Sequence, residues 1–253
     1  EIYTEVDTLS YTTLFRSLLN NTNQTGIKVS VVDVFDATFS QYVITLVLTP
    51  FFVFILLNIL MFYHNELFVI KYKSRIGFWK SIFNKILFYS TVFVLVLVVF
   101  ILILGMIRID QFTAWNEKEG ILYQVAYSLS QTNPELRSIE AWSSNLPYYH
   151  PITVVSLYSL FTILGFALIT MIAYIVILVT KKNIIGYIVM LLLITMDTFG
   201  KIPIVFNQII VSYKDILFLQ PLIWDFIYLV SLLVFLYFIG EFVIKKIDFR
   251  PYK

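Results

Sequence analysis

Few side chains in this sequence could carry out chemistry, and those few are far apart. The chain has no cysteine, which excludes thiol catalysis, disulfides and cysteine-based zinc sites. We expect its only two histidines, His64 and His150, on opposite faces of a membrane, where they cannot share a metal ion. No nucleotide-binding loop of the G-x-x-x-x-G-K-[ST] type is present. The sequence therefore predicts no catalytic residue, no metal site and no cofactor bound by this chain.

Two polar residues interrupt apolar runs and are the candidates for a substrate path. Asp225 lies in the last run, and acids in such runs usually face a bundle interior or water. Because Asp225 is close to the start of that run and next to Trp224, solvation at the membrane interface explains it more simply. Asn58 is the second candidate, although helix–helix packing explains it better.

The most distinctive stretch is basic and covers residues 64–85, HNELFVIKYKSRIGFWKSIFNK. Glu66 is its one acid, and the five cations that follow are Lys71, Lys73, Arg75, Lys80 and Lys85. On a helical wheel, the aromatic and aliphatic residues share one side, and most of the cations lie outside it. That pattern predicts an amphipathic helix in the membrane interface, with Gly77 as a point of bending.

The elements that must position these residues are membrane helices. Hydrophobic residues make up 59% of the 253-residue chain and charged residues 13%, a composition that a bilayer can solvate and a soluble domain cannot. The net charge of +2 is too small to indicate nucleic-acid binding. We predict an all-α, polytopic transmembrane bundle with five spans, at residues 42–63, 86–107, 151–180, 184–199 and 218–240.

Residues 200–217, before the last span, are predicted to form a re-entrant or interfacial segment. The apolar piece of this region, residues 202–213, is about 12 residues long, and a helix that crosses a bilayer core needs about 20. The number of membrane crossings supports this interpretation, because one more crossing here would place the basic C-terminal tail on the outer side of the membrane.

The charges set the orientation by the positive-inside rule. Cations dominate the loop at 64–85, the Lys181–Lys182 turn and the tail from residue 241, whereas residues 1–40 hold five acids and two cations. We therefore predict residues 1–41 and 108–150 outside and the C-terminus inside. An outside N-terminal segment without a signal indicates one further span upstream of Glu1, which would give six helices in the full protein.

The outer loop 108–150 is predicted to contain two short helices, at 117–131 and 134–142. Asn133-Pro134-Glu135 is typical of a helix start, and aromatic residues suited to the membrane interface flank the region. Two interpretations stay open: a small cap over a substrate path, and ordinary loops that rest on lipid headgroups.

The order of residue types around the basic stretch resembles the permeases of ABC-2-type transporters. The matching features are Glu66 at the end of a span, the run Lys71-Tyr72-Lys73-Ser74-Arg75, then Trp79, and Lys85 before a long apolar span. More narrowly, the chain is similar to permeases of low-GC Gram-positive bacteria that are linked to antimicrobial-peptide export and immunity.

This resemblance implies a cytoplasmic coupling loop that docks on a separate ATPase subunit, which would bind ATP and magnesium. The residues it assigns to the coupling loop are Glu66, Lys71, Tyr72, Lys73, Ser74, Arg75, Trp79 and Lys80. It also implies a second permease subunit, identical or related, and a multi-pass location in a Gram-positive cell membrane. The aromatic, apolar spans suit an amphipathic substrate, a peptide or a lipid-like molecule.

Two other function classes compete with a permease. A non-transporting sensor or immunity subunit would bind a toxin or peptide at the cell surface, and it would need the outer segments but no coupling loop. A membrane enzyme acting on lipids would need acids, histidines or serines clustered at one interface, and the sequence has no convincing cluster.

Overall fold

The computed structural model describes residues 30–40, 43–62, 74–109, 112, 120–121, 151–198, 205–211 and 219–246. Every regular element in these ranges is helical. The elements are α1 (Val31–Thr38), a π-helical turn (Val43–Leu48), α2 (Thr49–Phe62), α3 (Arg75–Arg108), α4 (Pro151–Thr180), α5 (Asn183–Thr198), α6 (Phe206–Ile209) and α7 (Leu219–Lys246). The all-α prediction is confirmed for the described residues. The outer helices predicted at 117–131 and 134–142 lie outside them, apart from residues 120–121.

Four helical stretches are long and apolar enough to cross a membrane. They are Val43–Phe62, Arg75–Ile107, Ile152–Thr180 and Pro221–Lys246, with mean hydropathies between 2.4 and 3.1. α5 is apolar but shorter than the roughly 20 residues that a bilayer core needs. The described residues therefore contain four helices suited to crossing a membrane. The predictions of five spans and of a re-entrant segment at 200–217 are not confirmed, and of that segment the structure describes only residues 205–211.

The chain divides into two compact units, one of residues 1–38, 98–156 and 212–218 and one of the remaining residues. In the described part of the first unit, the start of α1 has one of the two hydrogen bonds of a capping box. The Asp33 carboxylate accepts hydrogen bonds from the Ser30 N–H and the Ser30 hydroxyl, both at 2.7 Å. Val31 packs so closely on Gly105 of α3 that a Cβ there would clash. The polar composition of residues 1–40 does not predict this helix.

In the second unit, a π-helical turn accommodates the proline of the first span. Pro50 has no N–H to donate to the preceding turn, and its ring crowds the carbonyl there. The turn Val43–Leu48 widens the helix just before it, and the Thr49 hydroxyl donates to the Ile44 carbonyl oxygen at 2.7 Å. α2 then continues to Phe62, so the proline does not end the span.

α3 begins at Arg75, about three turns before the start of the span predicted at 86–107. Ser74 caps it, because the Ser74 hydroxyl accepts a hydrogen bond from the Gly77 N–H at 3.0 Å. The second half of the basic stretch is therefore the first part of one long helix, which continues through Gly77. This differs from the separate interfacial helix that the wheel predicts, while residues 64–73 lie outside the described residues.

The core of the second unit is aromatic and centres on α4. The Phe52 ring of α2 lies 4.9 Å from that of Phe166 on α4 and 4.8 Å from that of Phe93 on α3, between centroids. Offset aromatic pairs at this spacing stabilise a core beyond their buried area. Of the most apolar 18 consecutive residues in each helix, 72% are buried in α4, against 28% in both α3 and α7. α4 is therefore the most enclosed of the long helices.

α4 and α5 form a tight helical hairpin. Lys181 has a φ of 57°, the left-handed conformation that commonly ends a helix, and its N–H donates to the Ile177 carbonyl oxygen at 2.8 Å. Gly186 of α5 lies so close to Ile177 and to the Ala173 carbonyl that a Cβ would clash. The missing side chain at Gly186 lets the two helix backbones approach each other directly after the turn.

Candidate functional site

The residues predicted for the coupling loop fall into two groups. Glu66, Lys71, Tyr72 and Lys73 lie outside the described residues. The others are at the start of α3, where the structure describes the side chains of Ser74, Arg75, Trp79 and Lys80. The contacts of this second group show how the basic stretch is connected to the rest of the molecule.

Trp79 is fully buried and fixes the start of α3 to α7. Its indole N–H donates to the Tyr237 carbonyl oxygen at 3.0 Å, and its ring lies 6.4 Å from that of Tyr174 on α4. Gly240 supplies the space, because a Cβ at that position would overlap the indole. In this arrangement a soluble partner cannot touch the indole, so Trp79 joins the two helices and does not form an exposed docking contact.

Arg75 makes a second contact with α7, near the C-terminal end of that helix. Its Nη1 donates to the Lys245 carbonyl oxygen at 2.9 Å. The last carbonyls of a helix have no partner within it and carry the negative end of its dipole, which favours a cation there. Arg75 and Trp79 are about one helical turn apart, so α3 is held to α7 at two levels. We name these two contacts the α3–α7 joint.

Tyr237 and Gly240, the two partners of Trp79 on α7, were not found by sequence reasoning. The sequence signal is weak, because Gly240 is simply a small residue among the large ones of the last apolar run. Tyr237 takes part through its backbone carbonyl, which any residue type provides. Only the packing of α3 against α7 shows that the two positions matter.

Lys80 lies outside the joint and lines an open groove along α3, which we name the basic groove. Its lining residues are Gly77, Lys80, Ser81, Asn84, Lys85, Phe88 and Tyr89, around a volume of about 530 Å³. The opposite face of the same helix is fully buried at Trp79, Ile82 and Ile86. The start of α3 therefore has one face in the protein core and one face that carries two lysines beside aromatic rings.

The structure describes both residues predicted for a substrate path, Asn58 and Asp225, and that role stays a prediction. The exposed Asn58 side chain donates from Nδ2 to the Phe54 carbonyl oxygen of its own helix, at 2.8 Å. Asp225 is half-buried on α7, between Trp224, which is 64% exposed, and Phe226, which is 38% exposed. An acid in these surroundings retains access to the surface.

Asp197, at the end of α5, is a buried acid that sequence reasoning did not single out. It is 3% exposed, and its Oδ2 accepts hydrogen bonds from the N–H groups of Val205, at 2.7 Å, and Phe206. N–H groups at the start of a helix have no partner within it, so this carboxylate of α5 caps the start of α6. The sequence signal is an acid directly after the apolar run that ends at Met196.

The described residues contain no group of three or more histidine, aspartate or glutamate side chains that could hold a metal ion. The α3–α7 joint and the basic groove are the features of the described chain that a function has to explain. Comparison of this chain with protein-family models, with curated proteins and with solved structures gives no match.

Proposed function

We propose that this chain is the permease subunit of an ABC-2-type ATP-binding cassette transporter. A separate ATPase subunit supplies the energy, and a second permease, identical or related, completes the transporter. The proposal includes five spans, a re-entrant segment at 200–217 and a cytoplasmic C-terminus in a Gram-positive cell membrane. The substrate is an amphipathic molecule, a peptide or a lipid-like compound, which is exported or cleared from the membrane.

The α3–α7 joint is the observation that carries the proposal. α3 has 34 residues and is about 51 Å long at a rise of about 1.5 Å per residue. A displacement applied to its first turn therefore moves a long, continuous element. Because Arg75 and Trp79 tie this turn to α7, the last helix moves together with it. A force on the basic stretch would reach two of the long apolar helices at once.

The energy for such a movement has to enter through another subunit, because the sequence has no nucleotide-binding loop. We assign the docking contacts to the first half of the basic stretch, with Glu66, Lys71, Tyr72 and Lys73. In this division of roles, Ser74 caps α3, while Arg75 and Trp79 pass the motion to α7. Lys80 belongs to the same predicted set, but it lines the groove and makes no contribution to the joint.

The proposal is tested by purifying the affinity-tagged chain from its native membrane. We expect an ATPase subunit to co-purify with it and the ATPase rate of the reconstituted complex to depend on the permease. Glu66→Ala, or charge reversal at Lys73 together with Arg75, should uncouple ATP hydrolysis from export while membrane insertion stays intact.

Charge reversal at Lys181 together with Lys182 is the matched control, since it also reverses two positive charges, at a turn outside the joint. We expect this control to retain coupling. Absence of any ATPase from the purified complex would favour the sensor or immunity subunit instead. Normal export by the Glu66 and Lys73/Arg75 variants would remove the coupling role from the basic stretch.

A further inference from the structure

We infer that the basic groove on α3 binds the headgroup of an anionic phospholipid. This inference goes beyond the proposed permease function and holds whether or not an ATPase binds the chain. Lys80 and Lys85 are about 140° apart on a helix of about 3.6 residues per turn, so one lysine stands on each side of the groove. Between them, Gly77 and Asn84 leave the middle of the groove shallow, with the Asn84 amide as its polar group.

The groups around this space match a phosphodiester. The ammonium groups of the two lysines, with three donors each, and the Asn84 amide can donate hydrogen bonds, and the ammonium groups add positive charge. Gly77 adds no side chain to this space, and a Cβ there would lie only 3.1 Å from the Ser74 Oγ.

An apolar strip continues from the groove along the same face of α3. Its residues are Phe88, Val92, Leu95 and Val96, with exposed fractions of 62%, 40%, 52% and 61%. From Asn84 to Val96 the helix rises about 18 Å, and one leaflet of a bilayer core is about 15 Å thick. A charged, hydrogen-bonding end followed by one leaflet of exposed apolar surface matches a phospholipid from its phosphate to its acyl chains. A soluble partner would match only the charged end.

The experiment uses the full chain in phosphatidylcholine vesicles with a small fraction of photoreactive phosphatidylglycerol, whose reactive group is in the acyl chain. After illumination and chymotryptic digestion, mass spectrometry measures the labelling of residues 88–96. We expect about fivefold more labelling than with a phosphatidylcholine probe of the same design. Lys80→Gln with Lys85→Gln should reduce the labelling to the phosphatidylcholine level, and the single variants serve if the double variant does not fold.

The matched control is Lys181→Gln with Lys182→Gln, which removes the same charge from a different turn and should leave the labelling unchanged. Equal labelling by both probes, or equal loss in the control, would show diffuse attraction and overturn the inference. Displacement of the lipid by soluble glycerol phosphate would reveal a free-phosphate site instead. Unchanged labelling in the Lys80/Lys85 variant, together with loss of a co-purifying ATPase, would assign these lysines to docking.

Discussion

α3 and α4 are similar in hydropathy and opposite in burial. The most apolar 18-residue stretch has a mean hydropathy of 3.1 in α3 and 2.6 in α4, yet 28% of that stretch is buried in α3 and 72% in α4. Hydropathy therefore indicates that a helix suits a membrane, and it does not indicate whether protein or lipid surrounds it. Lipid tails are as apolar as the side chains of a core, so transfer between the two gives little driving force.

Small residues account for part of the difference between the two helices. Gly165 of α4 lies so close to the Ile209 side chain that a Cβ there would overlap it. Ala167 and Ala173 of the same helix are fully buried. Small side chains let neighbouring helices approach closely, which is how membrane helices gain packing energy. α3 has bulky side chains such as Val96 and Phe100 on its exposed face.

The largest effect is expected for a phenylalanine on the buried helix. Phe166→Ala should lower the free energy of unfolding by about 3–5 kcal/mol, because the residue is fully buried against Phe52 and Phe93 and its removal leaves a cavity. Phe100→Ala on α3, where the ring is 57% exposed, should cost about 0.5 kcal/mol. Titration of both variants with a denaturing detergent measures the difference. Equal losses would mean that α3 is as enclosed as α4.

A second pair tests whether α3 is enclosed on its inner face. Trp79→Phe removes the indole N–H that bonds to the Tyr237 carbonyl oxygen and leaves a cavity at a fully buried site, which together should cost about 1–3 kcal/mol. Trp224→Phe at an exposed position on α7 is the matched control and should change stability by about 0.5 kcal/mol at most. The same detergent titration compares the two. Unchanged stability of the Trp79→Phe variant would show that the Trp79 contact of the α3–α7 joint does not stabilise the fold.

The smallest expected effect is a gain in stability. The Thr170 hydroxyl on α4 and the Ser90 hydroxyl on α3 are buried, and neither has a hydrogen-bond partner among the described residues. Thr170→Val and Ser90→Ala should each raise the free energy of unfolding by about 1 kcal/mol, because an unsatisfied buried hydroxyl is removed. Similar gains in the two variants would show that water is excluded from the inner face of α3 as completely as from α4. A loss in either variant would reveal a bond that the hydroxyl makes.

Much of the fold follows from the sequence, because a bilayer imposes length and polarity directly. The ends of the runs predicted at 42–63, 151–180 and 184–199 each lie within one residue of the ends of the helical stretches Val43–Phe62, Pro151–Thr180 and Asn183–Thr198. The start of α3 was missed because the charges of residues 75–85 suggested a separate element. Whether that segment continues into the span depends on the space beside Gly240, which is contributed by a distant part of the chain.

The candidate site is less predictable than the fold, for a related reason. The wheel correctly separates Trp79 from Lys80, since one is buried and the other lines the groove. It cannot show that Trp79 bonds to a backbone carbonyl 158 residues later. Asp33 could have been found, because Ser30-x-x-Asp33 is a local capping pattern. Asp197 could not, because its donors are eight and nine residues later in the chain, outside any local capping pattern.

The capping of α6 by Asp197 has a consequence for the order in which the chain enters the membrane. During synthesis, Asp197 is made eight residues before its first donor, the N–H of Val205. A carboxylate without that partner adds to the cost of inserting α5, and because Asp197 is at the end of the helix the cost is below the roughly 2.5–3.5 kcal/mol of an acid at mid-membrane. We expect α5 to remain at the membrane surface until α6 has been synthesised, and the two helices then to insert together. Chains truncated after Thr198 should leave α5 accessible to water-soluble labels, whereas chains truncated after Val211 should protect it.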